Sequence, residues 1–125
     1  GHLGLLPQSA KNFKFKGKQN YEREKILKEA KLLETAGVFS MVLECIESSL
    51  AKNITKTIKI PTIGIGASNN CDGQILVFDD LIGLNQINVR FIKKYTNIRK
   101  EIAKAVSTYA REVRSKKFPL KKHSY

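Results

Sequence analysis

Apolar and polar positions along this chain follow two rhythms, one close to 3.6 and one of short apolar runs, and they take turns. Residues Gly1 to Ser9 read as the end of a strand and a turn, because Pro7 stops regular pairing and Gly4 loosens the backbone. Ala10 to Asn20 is basic and loop-like. From Tyr21 to Ala36 the spacing predicts a helix: Ile26, Leu27, Ala30, Leu33 and Ala36 share one face, and Gly37 stands where a helix should stop. Val38 to Leu43 is short, apolar and partly β-branched, which predicts a strand buried on both faces. Glu44 follows it directly. Ser48 or Ser49 is placed to cap the next helix, whose apolar positions are Leu50, Ile54 and Ile58. Ile60 to Ile65 predicts a second strand ending in the glycine turn Gly64–Ser68, and Gln74 to Phe78 a third. A last helix is expected over 97–114, with Ile98, Ile102, Ala105, Val106, Tyr109 and Val113 as its buried stripe.

Strands alternating with helices on short connections predict an α/β fold with a parallel sheet and helical crossovers. Three or four strands form either a small open sheet or the last half of an eight-stranded barrel. The chain opens Gly-His-Leu-Gly without an initiator Met, which favours the second. Its length of 125 residues fits one small domain, or part of one, over 1–125.

Charge adds a question about partners. The formal net charge of +12 attracts polyanions, but the lysines and arginines are spread over the chain and read mainly as a solvated surface. Only Lys11–Lys18 and Arg111–Lys122 are locally dense. The former interleaves Phe13 and Phe15 with lysines, an arrangement that can stack bases beside phosphates. A small basic nucleic-acid-binding module is therefore the alternative to an enzyme. No apolar run reaches the roughly 20 residues of a membrane helix. Cys45 and Cys71 form no metal-type cluster and suit a reducing, cytoplasmic setting.

In parallel β/α folds the reactive groups lie at the C-terminal ends of strands. His2, Glu44 and the turn at Gly64–Ser68 occupy such ends. A carboxylate half inside an apolar rim is desolvated toward its neutral form, a useful state for a general base. The same carboxylate also suits the dipole of the helix after it. His2 can donate or accept a hydrogen bond at the same rim, or be held by a neighbouring loop. Gly64 and Gly66 lack the third glycine of a dinucleotide fingerprint, since Asn69 stands there, so close packing explains them equally well. Cys45 has no sequence-adjacent histidine to activate it and reads as packing.

Four stretches carry a resemblance: GHLGLLPQS, VLECIESSLAKNIT, IPTIGIGASNNCDGQILVFDDLIGL and FPLKKHSY. Together, in this order, they resemble the ketopantoate hydroxymethyltransferase family. The resemblance implies strands 5–8, with their helices, of a TIM (β/α)8 barrel of the phosphoenolpyruvate/pyruvate type. It implies a homo-oligomer, a decamer, acting on a keto acid in the cytoplasm. The implied reaction moves a one-carbon unit from 5,10-methylenetetrahydrofolate to 3-methyl-2-oxobutanoate, giving 2-dehydropantoate for coenzyme A synthesis. Glu44 matches the family's proton acceptor and His2 its substrate-proximal histidine. Mg²⁺ is implied on the keto acid, with ligands on strands 1–4, which this sequence does not contain; no metal ligand is expected here. The loop Ala10–Gln19 is shorter and less glycine-rich than the family's. A base without a metal site predicts negligible activity for the chain alone.

Overall fold

The computed structural model describes residues 1–6 and 14–125. It contains β1 (His2–Gly4), α1 (Asn20–Thr35), β2 (Met41–Glu44), α2 (Ser48–Thr57), β3 (Thr62–Ile65), β4 (Gly73–Gln74), α3 (Phe78–Leu81) and α4 (Ile98–Arg114). The expected turn at Pro7 and the segment Lys11–Phe13 lie outside the described residues.

The chain divides into two compact units, Gly1–Leu76 with Val89–Ile92, and Val77–Asn88 with Lys93–Tyr125. The first holds a parallel four-stranded sheet in the order β1-β2-β3-β4. Each strand therefore neighbours the next one in sequence, with α1 and α2 as the crossovers between the first three and a helix-free turn leading from β3 to β4. Register puts Gly4 beside Glu44 and Glu44 beside Ile65, so the three C-terminal ends line up.

The core of this unit follows the predicted periodicity closely. Ile26 and Ala30 of α1 are buried against Met41 and Leu43 of β2 and Leu50, Ala51 and Ile54 of α2, with Leu27 and Leu33 packed at its border. Ala36 is the exception on the α1 face: it is the exposed residue that ends the helix. Strand β2 begins at Met41, later than expected, and Phe39 is left exposed. Its burial alternates, with Met41 and Leu43 fully enclosed and Val42 and Glu44 partly open, so only one face is sealed. Neither Ser48 nor Ser49 caps α2; the N-cap is Glu47, whose carboxylate accepts from the Leu50 backbone N–H. A carboxylate one position earlier reaches the same orphan donor and adds a favourable charge for the helix dipole.

The expected strand at Gln74–Phe78 is two residues long. Ile75 N still donates to Gly64 O at 3.0 Å, but Phe78 already starts a helical turn.

In the second unit, α3 is joined to the segment before α4 by backbone bonds from Tyr95 N to Leu81 O (2.8 Å) and Ile98 N to Ile82 O (3.0 Å). Helix α4 forms where expected, and Asn97 caps it through its side chain on Lys100 N. Its predicted stripe is not buried: Ile102, Val106, Tyr109 and Val113 are all exposed. An amphipathic pattern states what a helix is able to cover, and here Phe118, edge-on to Tyr109 at 5.6 Å, covers only part.

Candidate functional site

The two sequence-predicted site residues meet, although only Glu44 stands at the C-terminal end of its strand; His2 is the first residue of β1, whose C-terminal end is Gly4. His2 Nε2 lies 3.2 Å from Glu44 Oε2, with the side chains 33% and 21% exposed. Register explains the meeting: His2 is paired with Val42, so Glu44 is its diagonal neighbour on the same face of the sheet. The contact is close enough for an ion pair when the imidazole is protonated, yet its direction misses hydrogen-bond geometry. Nε2 is buried and has no hydrogen-bond partner among the described residues. The pair is therefore close but unsaturated.

The backbone around Glu44 is fixed from two sides. Its carbonyl accepts from Leu5 N at 2.9 Å. This approach requires Gly4, at φ +102, because a Cβ there would sit 2.0 Å from the Glu44 oxygen. Next in the chain, Cys45 is forced to φ +50, a left-handed conformation that non-glycine residues seldom take. Its N–H donates to Ile65 O (2.9 Å) and its carbonyl accepts from Lys16 N (2.7 Å). Burial, and then the neighbouring Glu44 carboxylate, push the Cys45 thiol above its ordinary range, which suits packing rather than nucleophilic attack.

Sequence reasoning missed Glu47. Its carboxylate accepts from Arg23 (2.7 Å), Ser49 Oγ (2.5 Å) and Leu50 N (3.0 Å), while Arg23 also donates to Ser49 Oγ and Gly17 O. These bonds hold the Glu47 carboxyl far below the usual range, at about 2, with Ser49 the largest cause and Arg23 next. The acid followed by two serines ahead of an apolar helix was the available signal. Asp72 was missed too; it accepts from both the backbone N–H and the hydroxyl of buried Thr62, and these bonds lower its carboxyl's affinity for a proton. It ties the turn before β4 to the start of β3.

The glycine turn is built for packing. Gly66, at φ +63, has Phe91 so close that a Cβ would lie 2.7 Å from its ring. Beyond this turn a cavity of about 610 Å³ opens between Cys45–Ser48, Gly66–Asn69, Gln74, Val89–Phe91 and Phe15. Glu44 itself does not line it. Among the described residues no group of three or more His, Cys, Asp or Glu is placed to hold a metal ion. No helix there is long and apolar enough to cross a membrane.

A family profile described as ketopantoate hydroxymethyltransferase matches residues 1–121. The chain belongs to this family. Among curated ketopantoate hydroxymethyltransferases, it is similar to the 3-methyl-2-oxobutanoate hydroxymethyltransferase of Pelagibacter ubique (strain HTCC1062), 67% identical over 125 residues, which are 100% of this chain and 49% of that protein. The protein of the same name from Phenylobacterium zucineum (strain HLK1) is 49% identical over 122 residues, 95% of this chain and 44% of the relative. That of Francisella tularensis subsp. tularensis (strain FSC 198) is 46% identical over 129 aligned positions, 100% of this chain and 49% of the relative. The chain thus spans about half the length of the curated hydroxymethyltransferases it matches. Membership of the family lends nothing to the nucleic-acid module. The described part of its basic segment places Phe15 on the cavity instead.

Proposed function

We propose that the chain supplies the base-bearing half of a hydroxymethyl transfer from 5,10-methylenetetrahydrofolate to 3-methyl-2-oxobutanoate, giving 2-dehydropantoate. The observation that supports this most is Glu44, at the C-terminal end of a parallel strand and 3.2 Å from His2, inside a segment matched to the family over residues 1–121. Consecutive parallel strands in sequence order support reading β1–β4 as strands 5–8 of a (β/α)8 barrel, with 1–125 as part of one domain.

In this reading Glu44 takes the C3 proton of the keto acid. The C–H electron pair delocalises into the adjacent carbonyl as an enolate. Water hydrolyses the methylene bridge to formaldehyde, with both folate nitrogens taking up protons as tetrahydrofolate leaves. The enolate carbon attacks the formaldehyde carbon, whose C=O pair moves to oxygen and takes the proton held by Glu44, giving the hydroxymethyl group. His2, with an unpartnered nitrogen at the same rim, contacts the substrate and keeps a proton-donating neighbour beside the carboxylate. The described residues do not fit an Mg²⁺ site, since His2 and Glu44 are only two groups. The complete enzyme would be a cytoplasmic homo-oligomer.

The chain alone should show negligible Mg²⁺-dependent turnover, and adding the N-terminal part of the Pelagibacter relative should restore it. Glu44→Gln in the complemented assembly should lower kcat roughly 10²–10⁴-fold. Full turnover by the chain alone would defeat the half-enzyme reading, and turnover indifferent to Glu44→Gln would defeat the assignment of the base.

A further inference from the structure

The reading above demands two substrates of very different size, and the cavity beyond the glycine turn matches the larger. At about 610 Å³ it lies in the range of drug-sized ligand sites and far exceeds what a five-carbon keto acid fills. Its position is set by Glu44's own neighbour. The left-handed turn at Cys45 sends Glu44 to the rim and the next residues, Ile46 to Ser48, into the cavity wall. A ligand there lies one residue along the chain from the proposed base.

The wall chemistry is specific. Phe15 and Phe91 offer flat apolar surface, and Phe91 is held against Gly66, where no side chain competes for the space. Two charged groups line the cavity, Glu47 and Arg90. Glu47 is already engaged by Arg23, Ser49 and Leu50 N, so its charge is met from within the protein. Arg90 is exposed, and no carboxylate pairs with it among the described residues. An aromatic floor with one uncommitted guanidinium at its edge fits a ligand with a planar ring system and a carboxylate tail.

We infer that this cavity seats the folate co-substrate, with its rings against Phe15 and Phe91 and its glutamyl carboxylates on Arg90. The inference rests on the reaction proposed above but makes a separate claim about where the donor binds.

The test is calorimetric titration of the full 125-residue chain with 5-formyltetrahydrofolate, as the mono- and the triglutamate. The triglutamate should bind more tightly. Arg90→Ala should weaken binding roughly tenfold, since it removes charge-assisted hydrogen bonds from a solvent-accessible site. Arg90→Lys should keep part of the affinity through charge alone. Because Arg90 is exposed, both variants should keep the parent's circular dichroism. Folate binding unchanged in Arg90→Ala overturns the inference, as does complete displacement by inorganic phosphate, which would mark a simple anion site. Absence of folate binding also overturns it. None of these results touches the Glu44→Gln outcome in the complemented assembly, which judges the reaction by itself.

Discussion

Glu44 and Glu47 stand three positions apart at one end of the sheet, and the protein treats them in opposite ways. Glu47 is firmly held: a guanidinium, a hydroxyl and a backbone N–H all converge on its Oε2. Glu44 has a rigid backbone and one unsaturated neighbour, the misaligned His2 nitrogen. A carboxylate gripped by three donors, one of them cationic, is held in its charged state and fastens helices together. One with a fixed main chain and open oxygens is available to a proton that arrives from elsewhere. Structural and chemical carboxylates thus differ less in burial than in how many bonds remain unmade.

Three measurements put pressure on that contrast. The largest effect is expected at the backbone seat of Glu44. Gly4→Val places side-chain atoms where the Glu44 carbonyl lies and forces a β-branched residue to φ +102. A loss of about 3 kcal/mol or more is expected in urea unfolding. Glu44→Gln should by contrast leave stability within about 0.5 kcal/mol. A stable Gly4→Val would mean that the seat is adaptable and that the rigid half of the contrast is wrong.

Next in size is Glu47→Ala, which removes the cap of α2 and the Arg23 pair together. Unfolding should be easier by about 1–2 kcal/mol. Should Glu47→Ala and Glu44→Gln have equal effects on stability, the division of labour would disappear.

The smallest effect is on pH. Glu47 has its folded-state pKa depressed to about 2 from 4.5, so the unfolded chain takes up its proton first as pH falls. The stabilisation is complete above pH 4.5 and drains away toward pH 2. Because the side chain is 30% exposed, solvent screening holds this to about 1 kcal/mol. The acid limb of a stability curve should therefore be shallower in Glu47→Gln than in the parent; identical limbs would show that the hydrogen bonds do not bias the carboxyl.

The helices and the first strands were legible because burial periodicity depends on nearby residues. The spacing of Ile26 and Ala30, or Leu50 and Ile54, states which face turns inward whatever lies beyond. The run Gln74–Phe78 was misread because two residues of ladder and a helical turn look alike in an apolar stretch so short. For α4 the stripe was visible but its covering was not, since covering is a property of partners. Glu44 is readable as a C-terminal strand-end residue, whereas His2 turns out to begin β1, and only register shows that the two meet diagonally. The Glu47 clamp was hidden because Arg23 lies a helix away in sequence, and no local pattern encodes that encounter.

Strand β1 closes the sheet on one side, and among the described residues no strand lies against its outer edge. For anyone handling the chain, this turns concentration into an experimental variable. Backbone groups without a ladder partner recruit whatever extended chain comes near, including another copy. A melting temperature taken at one dilution then describes an association equilibrium as much as a fold, and values are comparable only at matched protein concentration.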